Sequence, residues 1–64
     1  MWTTVYVATG HNRALMIEEK LRAEGFLVKI RNFGVNNEHI LYEILVLEFE
    51  AKDAQDALIE LGIL

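Results

Sequence analysis

The longest stretch of apolar positions is Leu41-Tyr42-Glu43-Ile44-Leu45-Val46-Leu47-Glu48-Phe49. Its β-branched and aromatic residues give it strand character. Alternation sets Leu41, Leu45, Leu47 and Phe49 on one face and Tyr42, Ile44 and Val46 on the other. Both faces are apolar, whereas a half-solvated strand alternates greasy and polar positions. The pattern predicts the central strand of a small sheet, running to about Glu50, with something covering each side.

The remaining elements follow the same logic. Trp2 to Ala8 alternates, with Thr3, Val5 and Val7 on one face and Trp2, Thr4 and Tyr6 on the other, a first strand stopped by Thr9-Gly10. Ala14, Ile17 and Leu21 recur at helical spacing, which predicts a helix over about His11 to Glu24. Thr9, Gly10 or Asn12 can cap it, and Gly25 ends it. Leu15 and Met16 lie off the stripe, as peripheral packing or part of a contact surface. Phe26 to Phe33 reads as a second strand, with Phe26, Val28 and Ile30 opposite Lys29 and Arg31. Gly34 to His39 reads as a polar loop longer than a tight hairpin needs. A last helix over about Lys52 to Leu61 carries Ala54, Ala57, Leu58 and Leu61 inward and ends at Gly62.

The order is β-α-β-β-α. A strand-helix-strand unit crosses over right-handedly, and in its split form the third strand inserts between the first two. The expected fold is therefore α+β, ferredoxin-like, a single domain over residues 1–64. Its three-stranded sheet has order 1-3-2, with two helices on one face. Val5, Val7, Val28, Ile30, Leu45, Leu47 and Phe49 are expected to meet those helices. Trp2, Thr4, Tyr6, Lys29, Arg31, Tyr42, Ile44, Val46 and Glu48 are expected on the uncovered face.

Composition narrows the partners. Six Lys and Arg against ten Asp and Glu give a net charge of −4, which disfavours nucleic acid, since phosphate contacts dominate that affinity. No apolar run approaches the ~20 residues of a membrane span. The N-terminal residues lack a basic n-region and apolar h-region, and cysteine is absent, a pattern that fits a cytoplasmic protein. At 64 residues and 53% hydrophobic, the chain sits near the lower size limit for unaided folding. A dense core or a second subunit is the available aid.

Several segments together resemble a known family. They are Val5-Tyr6-Val7-Ala8, Ala14-Leu15-Met16-Ile17, Leu21-Arg22-Ala23-Glu24-Gly25-Phe26, Leu47-Glu48-Phe49 and Asp53-Ala54-Gln55-Asp56-Ala57. Nearly the whole chain is similar to a small prokaryotic domain family of unknown function, described as signal-transducing, with a fold like the PII nitrogen regulators. Phe49-Glu50 stands where members commonly have valine followed by proline. The resemblance implies the β-α-β-β-α fold and a regulatory or sensing role, with no catalytic residues to carry over.

Three places are candidates for chemistry or contact. Thr9, Gly10, His11 and Arg13 lie where the first strand feeds the first helix, a position that favours an anion or small-molecule ligand. The plain alternative there is a capped turn. The Asn36-Asn37-Glu38-His39 loop is either a binding loop or a mobile tip. The uncovered sheet face, with Trp2, Tyr6, Tyr42, Ile44 and Val46, has the aromatic-rich composition of an interface. Its alternative is an open face shielded by long Lys and Arg stems.

No cofactor is indicated, and a metal site joining His11, Glu38 and His39 is not expected. Serine and cysteine are both absent, so no hydroxyl-serine or thiol nucleophile exists, and no enzyme is expected. The sequence thus predicts a small regulatory or interaction module, a homodimer or the partner of another protein through its open sheet face. The alternative is an anion sensor at the first strand-helix junction.

Overall fold

A computed structural model describes residues 1–64. Strand β1 (Trp2–Thr9) leads into helix α1 (His11–Ala23), followed by β2 (Lys29–Asn36), β3 (His39–Leu47), a 3₁₀ turn (Glu48–Glu50) and helix α2 (Ala51–Glu60). The fold is α+β. The sheet has order β1-β3-β2, with β3 antiparallel to both neighbours, as the doubly apolar character of β3 predicts. Both helices cover one face: Ala14, Ile17 and Leu21 of α1 and Ala54 and Leu58 of α2 form one cluster with Val5, Ala8, Val28, Ile44 and Val46. No helix is long and apolar enough to cross a membrane.

The two helices end by the same device. After α1 the Gly25 N–H donates to the Arg22 carbonyl and the Phe26 N–H to the Leu21 carbonyl. After α2 the Gly62 N–H donates to Ile59 and the Ile63 N–H to Leu58. Both are Schellman closures, each with a glycine at positive φ and a hydrophobe packed behind it. This closure also explains why β2 starts at Lys29 rather than Phe26, since the Phe26 N–H is already bound to the helix. Gly25 sits at φ 97, where a Cβ is strained. Gly25→Ala is expected to cost about 1–2 kcal/mol, lowering the melting temperature by at least about 4 °C in a thermal denaturation.

The face assignment of β3 is inverted relative to the sequence expectation. Ile44 and Val46 are fully buried against the helices, with Tyr42 packed beside them, so Tyr42, Ile44 and Val46 leave the interface set. Leu45 and Leu47, expected to hold the helices, lie on the opposite face. The sequence carries the reason. Leu41, Leu45 and Leu47 share their parity with Glu43, and a carboxylate is admitted on the open face, not under two helices. Phe49 is also displaced. The strand ends at Leu47, the 3₁₀ turn breaks the alternation, and Phe49 is 83% exposed.

A bulge changes β1 as well. Thr4 pairs with Leu45 and Tyr6 with Ile44, leaving Val5 as the extra residue. Paired residues share a face, so Trp2 and Thr4 lie on the open side, and Tyr6 crosses to the helix side with Ile44. Val7, opposite Glu43, moves the other way and is 45% exposed. Tyr6 therefore joins the core margin, and Val7 leaves the helix-facing set. Val28 and Ile30 do pack toward the helices.

The Gly34–His39 loop is a tight hairpin. Both strands continue to Asn36 and His39, joined by Asn37 and Glu38 at φ 50 and 68. Two central residues of positive φ form the primed turn whose twist matches antiparallel strands, and Asn37 tolerates that conformation. A second bulge, at Phe33, shifts the register so that Gly34 meets Leu41.

Candidate functional site

The face away from the helices is built from alternate residues of three strands, shifted by one at the Val5 bulge of β1. β1 supplies Trp2, Thr4, Val7 and Thr9; β3 supplies Leu41, Glu43, Leu45 and Leu47; β2 supplies Lys29 and Arg31. No element of this chain covers it.

At its centre is a closed polar network. Thr4 Oγ1 donates to Glu43 Oε2 at 2.8 Å, and Arg31 Nε donates to Glu43 Oε1 at 2.8 Å, with Arg31 Nη2 at 2.7 Å from the same oxygen. The register dictates this triad, because Glu43 lies directly across from Arg31. Each carboxylate oxygen has a donor, so the charge can be enclosed at a contact without being left unpaired.

Apolar surface surrounds the network. Leu45 is only 4% exposed although it lies on the open face. Thr4 and Lys29 flank it in the ladder, and the Lys29 ammonium sits 5.3 Å from the centre of the Trp2 ring. Trp2 and Lys29 belong to the two outer strands, so this cation–π pair arches over β3. Trp2 and Lys29 also line a depression of about 370 Å³, together with Thr3, Thr4, Arg31 and Leu45.

Hydrogen bonds from Thr4 and Arg31 hold the Glu43 carboxyl below its ordinary value near 4.5, outweighing the opposing effect of partial desolvation. A carboxylate depressed in the folded state contributes stability that is complete above its unfolded pKa. That stability is lost as the pH falls through the folded value. Wild type should exceed Glu43→Gln in urea-unfolding stability at neutral pH, and the gap should close as the pH drops below the ordinary carboxylate range. A gap that widened on acidification would reverse the assignment.

The other sequence candidates arrange themselves differently. Thr9 lies on the open face, opposite Leu41. Gly10 is the N-cap of α1 at φ 88, with its N–H donating to the Ile40 carbonyl and no side-chain cap. Arg13 Nη2 reaches the Tyr6 hydroxyl at 3.4 Å, and the His11 ring lies 5.8 Å from that of Tyr42. Thus His11 and Arg13 fold back onto the helix-side tyrosines of the sheet, and no enclosed cavity forms at the junction. His11 and the hairpin residues Glu38 and His39 form no metal-ligand cluster.

The sequence reading placed Trp2, Thr4, Lys29 and Arg31 on the open face but missed Glu43, its polar centre. The parity of Glu43 with Leu45 was the signal that could have found it. A scan of protein-family models gives no match to this chain, and neither the curated proteins nor the solved structures give one.

Proposed function

We propose that this protein is a small regulatory interaction module that self-associates through its uncovered sheet face. One observation carries the reading. Trp2, Val7, Leu41 and Leu47 form an apolar field around a Glu43 whose oxygens are already satisfied, and no segment of the same chain shields it. Apolar surface with an internally paired polar centre is what a protein contact requires. The regulatory part of the reading rests on the resemblance to the signal-transducing family.

The expected contact is modest. Three strands of about 26 Å, spaced about 4.8 Å apart, offer a flat footprint of roughly 400 Å², about half the ~800 Å² per partner of a standard stable interface. Sedimentation equilibrium over a concentration series should show a monomer–dimer equilibrium with Kd on the order of 10–100 µM. A single monomeric species up to millimolar concentration would overturn the proposal.

A further inference from the structure

We infer that the dimer seats Phe49 of each copy in the depression lined by Trp2 and Lys29 of the other. This rests on the self-association proposed above and specifies how the contact is completed. Phe49 is the most exposed aromatic side chain of the protein, held outward on the 3₁₀ turn between β3 and α2. Glu48 and Glu50 flank it without an ion-pair partner in their own chain; Glu48 is exposed, whereas Glu50 keeps one carboxylate oxygen buried. The depression is the complement of this knob. Its exposed apolar wall is the Trp2 ring, since Leu45 is only 4% exposed, and Thr3, Thr4, Lys29 and Arg31 complete its lining. Lys29 has no carboxylate within ion-pair distance and rests on Trp2 alone. An aromatic ring beside the exposed Glu48 carboxylate thus meets the Trp2 ring beside Lys29, the cation of the depression that lacks a carboxylate, in a space of about 370 Å³ that accepts a side chain of this size.

Position supports a reciprocal arrangement. Trp2 pairs with Leu47, the last residue before the turn, and the Glu48 N–H donates to the Met1 carbonyl at 2.7 Å. Knob and depression therefore lie at the same end of the sheet. In a two-fold dimer each copy can give its Phe49 and receive the other's, so the contact closes on itself instead of propagating. The inserted ring supplies a buried aromatic anchor to a flat face that is otherwise undersized for a stable pair.

The test uses Phe49→Ala and Lys29→Glu, each at an exposed position and each checked for an unchanged circular dichroism spectrum. Sedimentation equilibrium should show dimerisation weakened about tenfold or more in each variant. A mixture of the two should form a heterodimer tighter than either homodimer, because it keeps one intact knob-and-depression pair where each homodimer has none. If both variants dimerise like wild type while Val7→Lys is monomeric, self-association through the face stands and the Phe49 contact is wrong. If both weaken but the mixture gains nothing, the two sites do not meet and the inference is overturned. If wild type itself is monomeric, the underlying reading has failed and the inference falls with it.

Discussion

Ile44→Lys is expected to unfold the protein. Ile44 is 0% exposed, on the helix side of the central strand, among the largest fully buried side chains. Replacing it removes an aliphatic group worth about 2–3 kcal/mol of burial and places an ammonium in a cluster made only of hydrophobic side chains. The effective penalty for an unpaired buried charge is several kcal/mol more. A domain of this length has a total stability of roughly 3–10 kcal/mol, and only 11 of its 64 residues are buried, so little remains to absorb the loss. Circular dichroism at 25 °C should show the helical signal lost and no cooperative melt. Ile44→Val should stay folded at a cost of about 0.5–1.5 kcal/mol. A folded, cooperatively melting Ile44→Lys protein would place Ile44 outside the core and restore the opposite face assignment.

Val7→Lys makes the same kind of change on the other face, with the opposite expected outcome. Val7 is 45% exposed and lies across from Glu43, so the new ammonium has water above it and a carboxylate beside it. The accessible surface of a single copy is 4217 Å², matching the roughly 4,200 Å² of a folded monomer of this mass. The fold buries its core within one copy, so the melting temperature should move by only a few degrees. Dimerisation should weaken by about a hundredfold or more, because in a two-fold contact two lysines are desolvated together beside Glu43 carboxylates that Thr4 and Arg31 already satisfy, which costs several kcal/mol. The pair of variants separates the two faces of the sheet: one lysine abolishes the fold and the other abolishes the association. A Val7→Lys protein that dimerises like wild type would remove this face from the contact.

The element order and strand order were legible because they depend on coarse features. A doubly apolar β3 belongs between two neighbours, and the stripe Ala14-Ile17-Leu21 and the glycines Gly25 and Gly62 delimit the helices. The facing of individual residues was less legible, for three physical reasons. Leucine is as apolar as isoleucine, so Leu45 and Ile44 compete equally for the core unless the charged residue sharing a parity is counted, and Glu43 shares it with Leu45. A bulge leaves no mark in period-two alternation, so Val5 silently reversed Tyr6 and Val7. The chain leaves β3 for the 3₁₀ turn at Glu48, a change that the apolar alternation does not mark, and this carried Phe49 out of the strand. The Asn37-Glu38 turn was hidden differently. Glu38 is an unusual residue for a positive φ, so the segment resembled a long loop. The candidate site inherits these reversals. Its cationic and tryptophan members were readable, while its carboxylate centre and the role of Val7 required the register.

The most direct measurement of the central claim uses Trp2, the single tryptophan of the chain, which is 39% exposed on the uncovered face. Its fluorescence should be followed over a dilution series alongside sedimentation of the same samples. Association through this face should shift the emission maximum to the blue in proportion to the dimer fraction, with the Val7→Lys protein remaining at the monomer value throughout. A dimer that forms while the Trp2 emission stays constant would place the contact elsewhere, such as the free edges of β1 and β2, and would contradict the account.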